Sequence, residues 1–211
     1  FEAKKTGDYS KLMSQQEIGK RVSTALPYEL NVSGNLIDKG KFRISMKADN
    51  ALFGKKSAGS AFTVYAPENY KVNSDKVEAC KNWSFAVKAG DEIQYDWPVE
   101  AFDHGKYLLH LHGPNGFYRE FAGSGKDPKL QISLQASLKK VTKLPTGNIE
   151  ITIRNSGNKP IKIKIADESY NKGELFNKEI LANSSQTIAI DLAGSFGWYD
   201  FKVNSESDQD F

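Results

Sequence analysis

The sequence predicts an all-β fold of two tandem immunoglobulin-like β-sandwich modules with antiparallel sheets. Three observations predict it. Short runs alternate apolar and polar residues with period 2, the pattern of strands with one buried face. Phe42, Ile44 and Met46 against Lys41, Arg43, Ser45 and Lys47 is the cleanest case. Gly, Asn and Pro punctuate these runs at close spacing and leave little room for helices. The second half also repeats the first. Phe42-Arg-Ile-Ser-Met-Lys parallels Ile149-Glu-Ile-Thr-Ile-Arg, the run Ala61 to Tyr70 parallels Ile161 to Tyr170, and Gly105-Lys-Tyr parallels Gly197-Trp-Tyr. The modules are expected at residues 27–125 and 128–211.

Residues 1–26 are polar without strand alternation and read as a linker or arm. After the strand at Lys41 to Lys47, Leu52 to Gly59 is a loop, and Ala61 to Ala66 is a strand ending at Pro67. Trp83, Phe85 and Val87 mark the next strand, and Ile93, Tyr95 and Trp97 another. A hairpin follows: Tyr107, Leu109 and Leu111 share a face, as do Phe117, Arg119 and Phe121. Between them Gly113-Pro114-Asn115-Gly116 predicts a tight turn, with Pro second, Asn third and Gly at the exit. Ser124 to Pro128 is a polar break. Alternating isoleucines at 149–153, 161–165 and 188–190 then build the second module, which Tyr199, Phe201 and Val203 close.

The 29 basic and 26 acidic residues leave a net charge of +3, and no concentrated run of like charge marks a nucleic-acid footprint. A mean hydropathy of −0.54 with 11% aromatic residues fits a soluble, β-rich domain. No window has the length of a transmembrane helix, and no signal-peptide pattern is present. The chain opens on Phe1 rather than Met and is expected to be a piece of a longer protein.

No catalytic constellation emerges, and no cofactor or metal is expected. His110 and His112 are two apart on one strand and so face the same way, a two-ligand geometry to which no third ligand can be assigned. Ser195 lacks a nucleophile elbow and a neighbouring histidine. Cys80 has no neighbouring base and reads as a half-buried structural thiol. Aromatic residues offer more. Tyr118, Trp83, Trp97 and Trp198 are candidates for surface or lipid contact, because exposed rings suit a membrane interface, a choline headgroup or a sugar. Tyr118 leads, since Phe117 and Phe121 take the opposite face; Trp83 and Trp97 alternate within strands, as core residues do. Arg119 shares the phenylalanine face, where a charge is expected to be a salt-bridge partner.

The hairpin wording Gly113-Pro114-Asn115-Gly116-Phe117-x-Arg119-x-Phe121-x-Gly123 closely resembles a signature of the C-terminal domain of bacterial phospholipases C of the phosphocholine-preferring type. The segment from Gln16 to Leu30 resembles the entry into that domain, and Asn155-Ser-Gly157, Ala166 to Tyr170 and Trp198-Tyr199-Asp200 extend the likeness into the second half. The resemblance implies tandem copies of one small domain, non-catalytic in themselves, behind an upstream catalytic α/β domain of the same chain. That parent would hydrolyse phosphatidylcholine or sphingomyelin phosphodiesters and would be secreted, periplasmic or at the cell surface. The fragment would then target the lipid or membrane surface, or pack on the catalytic domain. A carbohydrate- or protein-binding module and a purely stabilising domain are the alternatives.

Overall fold

The computed structural model describes residues 26–37, 40–169 and 173–205. The arm expected at 1–26 and the segment Gln16 to Ala25 lie outside these residues, Leu26 apart, as does Tyr170. The strands are β1 (Leu30–Ile37), β2 (Lys41–Ala48), β3 (Ser60–Lys71), β4 (Val77–Val87), β5 (Glu92–Pro98), β6 (Lys106–His112) and β7 (Tyr118–Ser124). After the break come β8 (Leu130–Leu138), β9 (Pro145–Asn155), β10 (Ile161–Asp167), β11 (Gly173–Ile180), β12 (Ser184–Ile190) and β13 (Phe201–Ser205). Only single 3-10 turns interrupt them among the described residues.

Every ladder is antiparallel. Sheets β1-β2-β5 and β4-β3-β6-β7 come first, followed by β12-β9-β8 and β11-β10-β13. The same strand order thus occurs twice, with β8 to β13 answering β1 to β6 and β7 as the addition. Each pair of sheets encloses its own core. Ile44, Met46, Phe62, Trp97, Leu109 and Leu111 are fully buried in the first, and Ile151, Ile153, Ile163 and Ile165 in the second. Alternation dictates this: in β2, Phe42, Ile44, Met46 and Ala48 point in and the residues between them face outward.

The signature residues serve this packing. Phe121 reaches across to Phe42 of the opposite sheet at 5.5 Å between ring centres, and Phe117 meets Phe62 edge-on at 6.1 Å. Asn155, wholly buried, donates to the carbonyls of Lys159, Ile180 and Leu181 and accepts from the Gly157 amide. It thereby ties the β9–β10 turn to the end of β11.

Three local expectations are corrected. The turn at 113–117 is centred one residue later: Asn115 (φ 57°) and Gly116 (φ 75°) are its left-handed pair, and Phe117 N–H donates to Pro114 C=O at 3.2 Å. Left-handed Asn-Gly matches strand twist better than the type I geometry that Pro in second place would impose. Cys80 is exposed rather than half-buried. It stands at φ 56° where the β3–β4 register slips, opposite Pro67 and Glu68, the former with no N–H to offer the ladder. Arg119 meets a ring and a carbonyl: its guanidinium lies 4.5 Å from the Phe117 ring centre and donates to Tyr118 C=O at 2.7 Å.

The sandwiches meet edge to edge. β1 runs beside β8 with no ladder between them among the described residues, and Gln131 Nε2 donates to Ser33 Oγ at 3.4 Å. On the other sheet β7 is the edge strand on the β1 side, since Gly34 of β1 lies against the Phe121 ring. Asp200, just before β13, is close enough to Tyr118 of β7 to act on its phenol.

Candidate functional site

Among the described residues no group of three or more His, Cys, Asp or Glu side chains is arranged to hold a metal ion. His110 and His112 do share the outer face of β6. His110 Nε2 is 3.5 Å from Glu120 Oε2 on β7, while the neighbours of His112 are rings, Tyr118 at 5.0 Å and Tyr65 at 5.6 Å. The register pairs His110 with Glu120 and His112 with Tyr118, so this is a cross-strand face of half-exposed side chains. Ser195 is buried and its hydroxyl donates to Leu192 C=O at 3.2 Å, a role in the turn.

The aromatic candidates separate by burial. Trp97 is fully buried and has no surface to offer; Trp83 is half-buried and packs on the first core. Both leave the set of contact residues because their alternation within strands turns them inward. Tyr118 is 40% exposed, and its hydroxyl donates to Glu120 Oε2 at 2.7 Å. Its pKa stands far above the usual phenol value, through partial burial first, then the Glu120 bond and charge, then Asp200. Tyr118 is therefore a neutral, hydrogen-bonded phenol at any physiological pH.

Trp198 belongs to the loop between β12 and β13, and here the structure adds a residue that the sequence did not single out. Phe196 is 85% exposed and Trp198 68% exposed, with Tyr199 beside them stacked on Phe201 at 5.4 Å. The loop is bonded throughout. Asn148 Oδ1 holds the Leu192 amide at 3.1 Å, Asp191 Oδ1 holds Ala193, Gly197 N–H donates to Leu192 C=O at 3.0 Å, and Trp198 N–H donates to Ser195 C=O at 2.9 Å. Leu192 and Ser195 are buried beneath it as anchors. Phe196 itself sits at φ 56°, ψ 29°, a left-handed conformation uncommon for a residue with a side chain. The signal available in the sequence was the pair of aromatics flanking Gly197 in Ser195-Phe196-Gly197-Trp198.

Residues 22–124 match the family described as bacterial phospholipase C, C-terminal domain. That stretch is a bacterial phospholipase C C-terminal domain. The chain is 27% identical over 205 residues to a hemolytic phospholipase C of Pseudomonas aeruginosa, an alignment that covers 93% of this chain and 27% of that protein. It is 28% identical over 207 residues to a non-hemolytic phospholipase C of the same organism, covering 94% and 27% respectively. With a non-hemolytic phospholipase C of Burkholderia pseudomallei it shares 28% identity over 200 residues, covering 94% of this chain and 26% of the other. The chain therefore spans about a quarter of the length of the curated relatives it matches. The signature from Gly113 to Gly123 of this C-terminal domain falls on the turn after β6 and on β7, where its side chains build core and turn.

Proposed function

We propose that this chain is the non-catalytic C-terminal region of a bacterial phospholipase C, and that it brings an upstream catalytic domain of the same polypeptide to a lipid surface. In this reading the parent enzyme hydrolyses the phosphodiester of phosphatidylcholine or sphingomyelin outside the cytoplasm. The second sandwich, 128–211, is a second copy of the first; the repeated strand order supports this. The observation that carries the lipid role is the 191–200 loop, a hydrogen-bonded turn holding Phe196 and Trp198 in solvent. Large rings displayed on ordered backbone suit the membrane interface, because their insertion requires little further ordering.

A second reading, docking on the catalytic domain, draws on the outer face of β3, β6 and β7. Tyr65, His110, His112 and Tyr118 form a flat ring-rich surface there, better shaped for protein contact than for insertion.

The test is sedimentation of the 211-residue chain with phosphatidylcholine and sphingomyelin vesicles, alongside an assay for phosphocholine release. Expected are binding that survives physiological salt and no release. Metal-dependent release by the purified chain would refute the non-catalytic assignment, and absence of binding to any vesicle would leave domain docking as the role.

A further inference from the structure

The hairpin between β8 and β9 stands beside the aromatic loop. Leu138 pairs with Pro145, Lys139 N–H donates to Leu144 C=O at 2.8 Å, and Lys143 N–H donates to Lys139 C=O at 3.0 Å. Thr146 Oγ1 closes the base on Ser137 C=O at 3.1 Å. The turn is thus as fully bonded as the aromatic loop. It nevertheless displays apolar side chains, for Val141 is 92% exposed and Leu144 59% exposed. Neither contributes to a core.

Strand order brings the two loops together. β9 lies between β8 and β12, Ile149 of β9 pairs with Ile190 of β12, and Asn148 reaches the Leu192 amide. The hairpin and the 191–200 loop therefore leave the same end of one sheet, the hairpin running on past the Ile149–Ile190 pair as far as Leu138 and Pro145. The charge at this end is uneven. Lys139, Lys140 and Lys143 are exposed on the hairpin, and no acidic residue lies between Leu138 and Asn148. On the neighbouring loop Asp191 is occupied with the Ala193 amide and Asp200 lies at its far end.

We infer that this end of the second sandwich is a docking tip for an anionic lipid bilayer. Phe196, Trp198, Val141 and Leu144 enter the headgroup zone, while Lys139, Lys140 and Lys143 meet lipid phosphates. The proposal rests on the lipid-targeting reading above and adds the site and the lipid class. Each component has its reason. Apolar tips on ordered turns gain free energy by leaving water for the interface. Lysines beside them find a negative surface potential at the depth where their ammoniums remain hydrated. A nucleic-acid partner would use the lysines but leave the aliphatic and aromatic tips without a role.

The experiment is flotation of the full chain with vesicles of pure phosphatidylcholine and with vesicles one-third phosphatidylglycerol, at low and physiological salt. Two variants accompany it, Phe196→Ala/Trp198→Ala and Lys139→Gln/Lys140→Gln/Lys143→Gln, with circular dichroism to check their fold. The chain should bind the anionic vesicles more tightly, and the triple variant should lose that preference, about fivefold per lysine. The aromatic variant should weaken binding to both vesicles by at least about tenfold. Equal affinity of the native chain for both vesicles would overturn the anionic preference. Binding to vesicles that both variants retain undiminished would overturn the tip while leaving lipid targeting standing. Absence of binding to either vesicle would overturn targeting itself.

Discussion

Replacing Gly123 by alanine tests whether the signature glycine serves the fold. Gly123 is buried in β7, and a Cβ there would collide with the Asp127 carboxylate and come within 2.6 Å of the Tyr107 hydroxyl. Asp127 is itself buried, and accepts hydrogen bonds from the Tyr107 hydroxyl and from the Ser124 amide at 2.6 Å. Both neighbours would have to shift. Hydrogen bonds to a charged group contribute about 1.5–3 kcal/mol each, so weakening this pair is expected to cost about 2–4 kcal/mol. At about 2–4 °C per kcal/mol for a chain of this size, the unfolding midpoint should fall by roughly 5–15 °C. The assay is thermal and urea unfolding followed by tryptophan fluorescence, since Trp97 is buried in the same sandwich as Gly123. A decisive comparison is the same substitution in a Tyr107→Phe/Asp127→Ala background, where both obstructing groups are gone. There Gly123→Ala should be near neutral, giving a coupling of about 2 kcal/mol. An equal loss in both backgrounds, or none in the native one, would refute the reasoning.

Two further outcomes are expected. The Trp97 indole N–H is buried without a hydrogen-bond partner and its ring is enclosed by Trp83, Phe85 and Tyr95. Trp97→Phe should therefore cost only about 1–2 kcal/mol against about 3–5 for Trp97→Ala in chemical denaturation, and equal losses would show that the N–H matters. Arg43 donates to both carboxylate oxygens of Asp96 across β2 and β5, at 2.6 and 2.9 Å, and holds that carboxyl below its usual pKa. A depressed folded pKa stabilises above the unfolded value and is lost as pH falls through the folded one. Hence the deficit of Arg43→Ala should be full at neutral pH and fade below about pH 4. A deficit that grew on acidification would contradict this.

Much of the fold was legible because each strand carries its own statement of which face is buried. Phe42-Arg-Ile-Ser-Met-Lys needs only the period to be read, and its echo at Ile149 foretold the second sandwich before any contact was known. Features that depend on two strands at once were not legible. The shifted Asn115-Gly116 turn depends on strand twist, and the bulge at Cys80 on a proline thirteen residues away on the facing strand. For the candidate site the sequence picked Trp198 and Tyr118 by residue type, and added Trp97, which strand packing then buried. Val141, Leu144 and Phe196 were passed over because a single apolar residue in a polar loop is unremarked by any periodicity. Only the order β12-β9-β8 sets them at a common end.

The edge-to-edge seam bears on what happens if the halves are separated. An open strand edge is a row of unspent amides and carbonyls that another chain can recruit. In the tandem, β1 has β8 beside it. Severed between Gly125 and Pro128, the halves would turn the β1 and β8 edges toward solvent. The halves would then tend to rejoin, or to recruit further copies into filaments. Beside any binding role, each sandwich is thus a guard against the self-association of the other.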